Sequence, residues 1–484
     1  MTSRYNKTSP SRIRPRLLAL AAAALLAGCS LMPQYERPPA PVAAAFPDSV
    51  NIQAGPAAVD IGWRQFFHDE RLQALVAAAL ENNRDLRTAA LRVEEARALY
   101  NVQTADQLPT VNATGSAGRS RTPPGVTGLG RPIVASNYQV GVSIPAFELD
   151  FFGRVRSLSE AALSSYLATE EAQRAARIAL VAQVANAYLA ERSAAEQKKL
   201  AENTLAARRE SLKLARQRFE VGASSALDLR QQEILLQQAQ ISQLAVARQQ
   251  AQAQNALVLL VGRPLDNSLP PPRPLADQGI VSDIPPGLPS DLLARRPDIR
   301  AAEQRLRAAN ANIGAARAAF FPRITLTSGI GVGSNELSTL FSSGSHSWNF
   351  TPQLVLPIFD YGRNRANLSV AEARNNLAVV DYERSIQVAF REVADALVAR
   401  GLLDQQLEAQ RLAVEAQADR ANLSEQRYRN GIASSLEVLD AQRDLFAAQQ
   451  ALIQTWQLRY TNSIDLYRSL GGGLQEAGSP VAGR

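Results

Sequence analysis

From Arg154 to Val221 the chain runs 68 residues without a glycine or proline, built mostly from Ala, Leu, Arg, Gln and Glu. These are strong helix formers, and nothing in the stretch signals a stop. At ~1.5 Å per residue such a helix is on the order of 100 Å long. Gly222 then interrupts it, and Ala223 to Val261 supplies another 39 residues without Gly or Pro. The same plan returns at 363–430, interrupted only by Gly401, and at Ile432 to Leu470. Globular helices average about 11–12 residues, so helices of this length call for coiled-coil or barrel packing.

The recurrence is an internal duplication. QRFEVGASSALDLRQQE (Gln217 to Glu233) is answered by QRYRNGIASSLEVLDAQR (Gln426 to Arg443), with Gly222 and Gly431 209 residues apart. The same offset pairs Gly153-Arg154 with Gly362-Arg363, and Gly262 in LVGRP with Gly471 in SLGGG. Upstream the offset becomes 213, so that Leu108-Pro109 faces Phe321-Pro322 and Ala79–Ala96 faces Leu292–Ala309. Halves of about 200 residues are far longer than solenoid repeats.

Each half therefore reads as a moderate helix (roughly 68–106 and 288–319), two short alternating segments, a long helix and a second helix. A first repeat is expected over 61–262, with a β-hairpin about 109–148 and a helical hairpin over 154–261. A proline-rich linker follows at 263–290. The second repeat spans 291–473, with a β-hairpin about 322–359 and a helical hairpin over 363–470. The remainder, 474–484, reads as a tail. A 39-residue helix cannot flank a 68-residue one alone, so the helix at 68–106 is expected to stack end to end on 223–261. Ile178, Val181, Ala185 and Tyr188 form one apolar face of the long helix, and Leu180, Val184 and Ala187 an adjacent one. Two apolar faces suit a ring in which every helix has two neighbours. Ten glutamines in 231–254 leave polar surface as well, and periodicity alone also fits a solvent-exposed coiled coil.

The N-terminus sets the compartment. Residues 1–28 hold five basic and no acidic residues, then the apolar run LLALAAAALLAG. Twelve residues are too few for a spanning helix, which needs about 20, but they suit the h-region of a signal peptide. The run ends in LAGC, and Cys29 is the only cysteine, so no intramolecular disulfide is possible. LAGC resembles a lipobox, which marks Cys29 for lipidation and 29–60 as a lipidated, extended segment. Ser30, rather than aspartate, favours sorting to the outer membrane. The signal also accounts for most of the net charge of +7: the remainder carries 47 basic against 45 acidic residues, which removes the electrostatic case for nucleic acid.

The short segments alternate. In ITLTSGIGVG, Ile324, Leu326, Ile330 and Val332 fall on one face, and Thr325, Thr327, Gly329 and Gly331 on the other. In YQVGVSIP, Tyr138, Val140, Val142 and Ile144 alternate with Gln139, Gly141 and Ser143. Thr110–Ala117 and Phe350–Ile358 do so less cleanly. Apolar outward and small or polar inward is the pattern of a transmembrane barrel strand, though a half-buried soluble sheet shares it. Four strands per chain cannot close a barrel. A dimer would give eight, an interior that side chains fill, and a trimer twelve, enough for a water channel. A trimer with pseudo-sixfold repetition is the simplest expectation.

At this point LAGC, WRQFFHDERLQALVAAALENNRDLRTAALRVEEARA and LLARRPDIRAAEQRLRAANANIGAARAAFFPRITL together resemble the outer membrane factor lipoproteins of TolC/OprM type. The resemblance covers nearly the whole mature chain. It implies a mainly α fold with a transmembrane β part: a long α-helical barrel in the periplasm and an outer-membrane β-barrel completed by trimerisation. It also implies a passive exit duct of a tripartite efflux system, with a periplasmic adaptor and an inner-membrane RND-type transporter as partners. The only covalent group expected is the lipid on Cys29; no cofactor, metal or nucleic acid is expected. The helix tips that engage the adaptor map to Phe219, Val221, Gly222, Ala223 and Ser224, and to Gly431, Ile432, Ala433 and Ser434 beside Tyr428. The periplasmic gate maps to Asp228, Tyr428, Glu437 and Asp440, with Asp228 and Tyr428 at positions that link the hairpins. An arginine often found two residues after the second tip glycine in TolC itself is Ala433 here, so the resemblance does not carry over a gate lock that relies on it.

Other functions fit less well. His68 and His346 are isolated, and no nucleophile–base or metal spacing is present, so an enzyme is poorly supported. The outer-membrane channel of a type I secretion system remains an alternative to an efflux duct. A periplasmic adaptor lipoprotein would carry one helical hairpin flanked by β modules, rather than two hairpins interleaved with strands. A purely structural lipoprotein is the third reading.

Overall fold

In a computed structural model the described residues are 30–46 and 56–476, apart from Leu129, Asn267, Asp283 and Leu288. The signal peptide and Cys29 lie outside them. The described residues form α1 (Glu70–Asn82), α2 (Arg84–Ala105), β1 (Asn112–Thr122), β2 (Ile133–Leu149), α3 (Arg154–Glu220) and α4 (Ala226–Val261). These are followed by α5 (Pro289–Arg295), α6 (Pro297–Ala318), β3 (Arg323–Ser334), β4 (His346–Val355), α7 (Arg363–Arg429) and α8 (Ser435–Ser469). α3 and α7 are each 67 residues long, and Gly401 does not interrupt α7.

Three sequence expectations need correcting. The helix expected over 68–106 is two helices, broken at Asn83, whose backbone is extended (φ −63°, ψ 132°). Its side chain explains the break. The Asn83 Oδ1 accepts from the Leu86 backbone N–H at 2.9 Å as a cap, while its Nδ2 donates to the Leu260 carbonyl at 2.8 Å. The helix expected over 288–319 is likewise split, between α5 and α6. Arg296 precedes Pro297, and a residue before proline is disfavoured in helical backbone. β4 also begins at His346 and ends at Val355, upstream of the Phe350–Ile358 segment.

The chain folds into two compact units, each drawing on both repeats rather than on one. Of the described residues, the first comprises 30–38, 94–168 and 303–381 and contains the sheet. The strand order is β1-β2-β3-β4, all neighbours antiparallel, so the two hairpins join through β2 and β3. Residues directly opposite share a face. Val142 faces Ile330, Ile330 faces Trp348, and Ser328 faces Phe350, which gathers the large apolar residues on one side. Opposite them lie Gly141, Ser143, Gly329, Gly331, Thr325 and Gln353. Between Ile144 and Phe147 the register shifts by one residue at a bulge, where Ala146 takes φ 45°. The bulge changes which alternate residues face outward, and so returns Phe147 and Leu149 to the apolar side. At the end of the sheet where the helices join, Phe152 stacks on Phe321 at 4.8 Å, and Phe359 and Tyr361 lie 4.6 Å apart, both highly exposed.

In the same unit the N-terminal strap is held to α6. Asn310 Nδ2 donates to the Pro33 carbonyl at 2.8 Å, and Arg37 makes a forked pair with Glu303 at 2.7–3.2 Å. The Tyr35 hydroxyl and Arg307 also donate to Glu303.

The second unit, whose described residues fall within 39–46, 56–93, 169–302 and 382–476, holds the core. Trp63, Phe66 and Phe67 are fully buried, and Phe66 stacks on Tyr467 at 4.0 Å. Asp69 caps α1 by accepting from the Arg71 and Leu72 N–H groups, and the Tyr188 hydroxyl of α3 donates to its other oxygen at 2.8 Å. Burial, together with the negative charge and hydrogen bond of Asp69, pushes the Tyr188 phenol well above its ordinary value. Ile178, Leu180, Val181, Val184, Ala185 and Tyr188 are all buried. The proline-rich 263–290 segment is packed rather than free: Leu275, Ile280 and Ile284 are buried, and Ile280 bridges Phe67.

The end-to-end stacking expected of α4 and a helix over 68–106 takes another form: the C-terminal end of α4 meets the break between α1 and α2. A Cβ on Gly262 would lie 2.4 Å from the Asn82 carbonyl oxygen. The second repeat copies the joint. Arg296 Nη1 donates to the Ser469 carbonyl at 2.9 Å, at the positions equivalent to Asn83 and Leu260.

Candidate functional site

The site is built where α3 passes into α4 and α7 into α8, within the second unit. Both turns use one device. Gly222 and Gly431 each take φ 74°, the left-handed conformation in which a Cβ is disfavoured. The Gly222 N–H donates to the Phe219 carbonyl at 3.0 Å, and the Ala223 N–H to Arg218 at 2.7 Å. In the second copy the Gly431 N–H donates to Tyr428 at 3.0 Å, and the Ile432 N–H to Arg427 at 2.9 Å. This is the Schellman pattern, which satisfies carbonyls that a helix end otherwise leaves open.

Beyond the turn the copies diverge. Ser225 caps α4: its Oγ accepts from the Asp228 N–H at 3.1 Å, while Asp228 Oδ2 accepts from the Ser225 N–H and hydroxyl. That reciprocal box fixes the Asp228 carboxylate and leaves Oδ1 for the Ser435 hydroxyl of α8, 3.4 Å away. Ser434, the equivalent cap, makes no side-chain cap bond. Glu437, the equivalent of Asp228, instead lies 3.7 Å from Arg427.

Towards the tips, three polar contacts among the described residues tie the two hairpins. Asp228 meets Ser435, Arg218 Nη1 donates to the Tyr428 hydroxyl at 2.7 Å, and Arg208 Nη1 donates to Gln442 Oε1 at 2.6 Å. The Arg218 guanidinium also sits 5.3 Å from the Tyr428 ring centre. Asp228 and Tyr428, expected as linking positions, both reach the opposite hairpin, but through Ser435 and Arg218 rather than through each other. Sequence reasoning missed Arg218, Arg208, Ser435 and Gln442. One signal was available: QRF and QRY repeat an arginine before the aromatic, and only the second aromatic carries a hydroxyl. Arg208 is buried with an amide as its hydrogen-bond partner, and burial pushes its guanidinium below the ordinary value.

The expected acidic pair is neutralised within the chain. Asp440 lies 3.0 Å from Arg443, and Arg443 also reaches Asp444, which Arg420 binds from α7 at 2.9 Å. Hydrogen bonds from Arg420 and Arg443 hold the Asp444 carboxyl below the usual range. Exposed pairs of this kind are screened by solvent and add little to stability. At the tips, Val221 is 78% and Ile432 70% exposed, with Phe219, Leu227 and Leu436 also open. Ala433 is half-buried, and its N–H donates to the Arg427 carbonyl at 3.4 Å. Among the described residues no group of His, Cys, Asp or Glu is arranged to hold a metal ion, and no helix is long and apolar enough to cross a membrane.

The model of the outer membrane efflux protein family matches residues 75–263 and 288–472, the two repeats in turn. The outer membrane protein OprJ of Pseudomonas aeruginosa is 48% identical over 466 residues, covering 96% of this chain and 97% of OprJ. The toluene efflux pump outer membrane protein TtgC of Pseudomonas putida is 48% identical, covering 95% of this chain and 96% of TtgC. Among solved structures, the open state of the Neisseria gonorrhoeae MtrE outer membrane channel superposes with a TM-score of 0.86 at 42% identity, covering 93% of this chain and all of MtrE. The Campylobacter jejuni CmeC outer membrane channel gives 0.85 at 25% identity, over 93% of this chain and 96% of CmeC. The duplicated helical hairpins, the four-strand sheet and these likenesses agree: the chain belongs to the outer membrane efflux protein family, and is the outer-membrane channel of an efflux system in a Gram-negative cell.

Proposed function

We propose that three copies of this chain assemble into a passive exit duct, their sheets closing as a twelve-strand barrel. The observation that carries this is the sheet order β1-β2-β3-β4, which leaves β1 and β4 with one unpaired edge each. In hydrocarbon each unsatisfied backbone group costs several kcal/mol, so a membrane sheet must find edge partners. A second copy's β4 beside β1, repeated three times, satisfies every edge. The chain conducts and carries out no chemistry of its own, needs no cofactor, and is anchored by lipid on Cys29.

The exposed apolar tips around Phe219, Val221, Gly222, Ala223, Ser224, Gly431, Ile432, Ala433 and Ser434 suit a helical-hairpin partner, in this reading the periplasmic adaptor of an RND-type pump. The contacts of Asp228 and Tyr428, with Glu437 and Asp440, hold the periplasmic aperture closed until the adaptor binds. A photo-crosslinker at Val221 or Ile432 should capture the adaptor, whereas one at the buried Val184 should not. Molar mass in mild detergent should be that of a trimer; a monomer under the same conditions removes the proposal. Glu437→Ala with Asp440→Ala should raise single-channel conductance or weaken cation preference, and unchanged recordings would remove these two acids from the gate.

A further inference from the structure

The first unit carries a charge pattern that efflux does not explain. Residues 112–147 contain Arg119, Arg121 and Arg131 and no acid. Register places two of these arginines. Arg119 faces Ser136 and Arg121 faces Val134, on the same side as Tyr138, Val140 and Val142. That side is the apolar one, continuing through Ile330, Trp348 and Phe350. Both arginines are exposed, and no carboxylate among the described residues forms an ion pair with either.

Height along the strands decides what they face. The apolar rows run from Leu149–Ile324–Leu354 up to Tyr138–Ser334, ten residues along β3. At ~3.4 Å per residue and a tilt of about 40°, that is about 26 Å, matching the apolar band of about 25 Å in outer-membrane barrels. Arg119 and Arg121 stand one and two rows higher, roughly 5 and 10 Å beyond its edge by the same geometry. This is the end of the sheet that carries the strand-to-strand loops, while the other end joins helices that extend into the periplasm. Longer loops mark the exterior side of such barrels.

We propose that Arg119 and Arg121 bind the phosphate groups of the outer-leaflet glycolipid, lipid A. Two guanidinium groups on the lipid-facing side, at headgroup height and two residues apart on one strand, match a phosphorylated headgroup. Arginine binds phosphate through paired N–H donors. Apolar residues directly below them would contact the acyl chains of the same molecule. The proposal rests on the sheet being a lipid-facing part of a barrel, so the experiment separates the two.

The full-length protein is extracted from outer membranes in mild detergent, and the lipid A retained per protomer is measured by mass spectrometry. The wild type should retain lipid A, Arg119→Gln with Arg121→Gln should retain about tenfold less or lower, and Arg119→Lys with Arg121→Lys should keep an intermediate amount. Millimolar inorganic phosphate should not displace it. In a parallel arm, brominated phospholipids should quench Trp348 equally in all three proteins, showing that the variants fold and that the face lies in lipid. Equal lipid A in wild type and the glutamine variant, with Trp348 still quenched, overturns the proposal while leaving the barrel standing. Displacement by inorganic phosphate would also overturn it, by making the site one for free anions. Absent quenching in the wild type overturns the barrel placement, and the proposal with it.

Discussion

At the scale of single residues, the two tips differ by atoms rather than by shape. Phe219 and Tyr428 hold equivalent places, yet only Tyr428 has the hydroxyl that Arg218 reaches. Tyr428→Phe should remove about 0.5–1.5 kcal/mol from the association of the hairpins and raise open probability in bilayer recordings. Arg218→Gln should do the same, while Phe219→Tyr should not. The strap offers a pH-dependent contact. Burial alone would raise the Glu303 carboxyl, but hydrogen bonds and charge from Arg37 and Arg307 outweigh it and hold the group below its ordinary value of 4.5. A depressed carboxyl stabilises the fold fully above the unfolded value, and that contribution is lost as pH falls through the folded value. Thermal melting of the wild type should therefore weaken below about pH 4.5, and Glu303→Gln, less stable at neutral pH, should lose part of that acid sensitivity.

At the scale of elements, two glycines of similar backbone make unlike predictions. Gly222→Ala meets open space, so only the left-handed backbone penalty of about 1 kcal/mol applies. Gly262→Ala would drive a Cβ into the Asn82 carbonyl and must displace the α4–α1 joint. Denaturation midpoints of the two variants should separate clearly, with Gly262→Ala the less stable. The long helices were legible because the absence of breakers is a local property. In ENNRD an asparagine is a favoured cap and its bond to the Leu86 N–H is local, but the bond that anchors the break, to the Leu260 carbonyl, joins residues 177 positions apart. The bulge was partly legible: after Ile144 the alternation passes through Pro145-Ala146 and resumes one residue late at Phe147 and Leu149. The carboxylates of the tips were readable as positions. Their partners were not, because Arg218–Tyr428 and Asp228–Ser435 join residues more than 200 positions apart.

At the scale of the whole molecule, duplication governs what can be exchanged. The Asn83–Leu260 and Arg296–Ser469 joints are one contact written twice with different chemistry. In the first copy an amide makes it. In the second, the guanidinium also binds Asp298 and Glu392, the latter at 2.9 Å. Burial opposes ionisation of Asp298, but Arg296 outweighs it and holds the carboxyl below its ordinary range. Arg296→Asn would leave Glu392 half-paired and should lower the melting temperature more than Asn83→Ala does.

Such divergence also bears on descent. A half-length ancestor would have closed its ring from six identical copies, each presenting the same joint and the same tip to its neighbour. A ring of first halves would offer Arg218 only Phe219 and so lack its contact with Tyr428. The second half keeps both members of the contact, Arg427 and Tyr428. A self-assembling half-protein is therefore better sought from residues 291–473 than from 61–262.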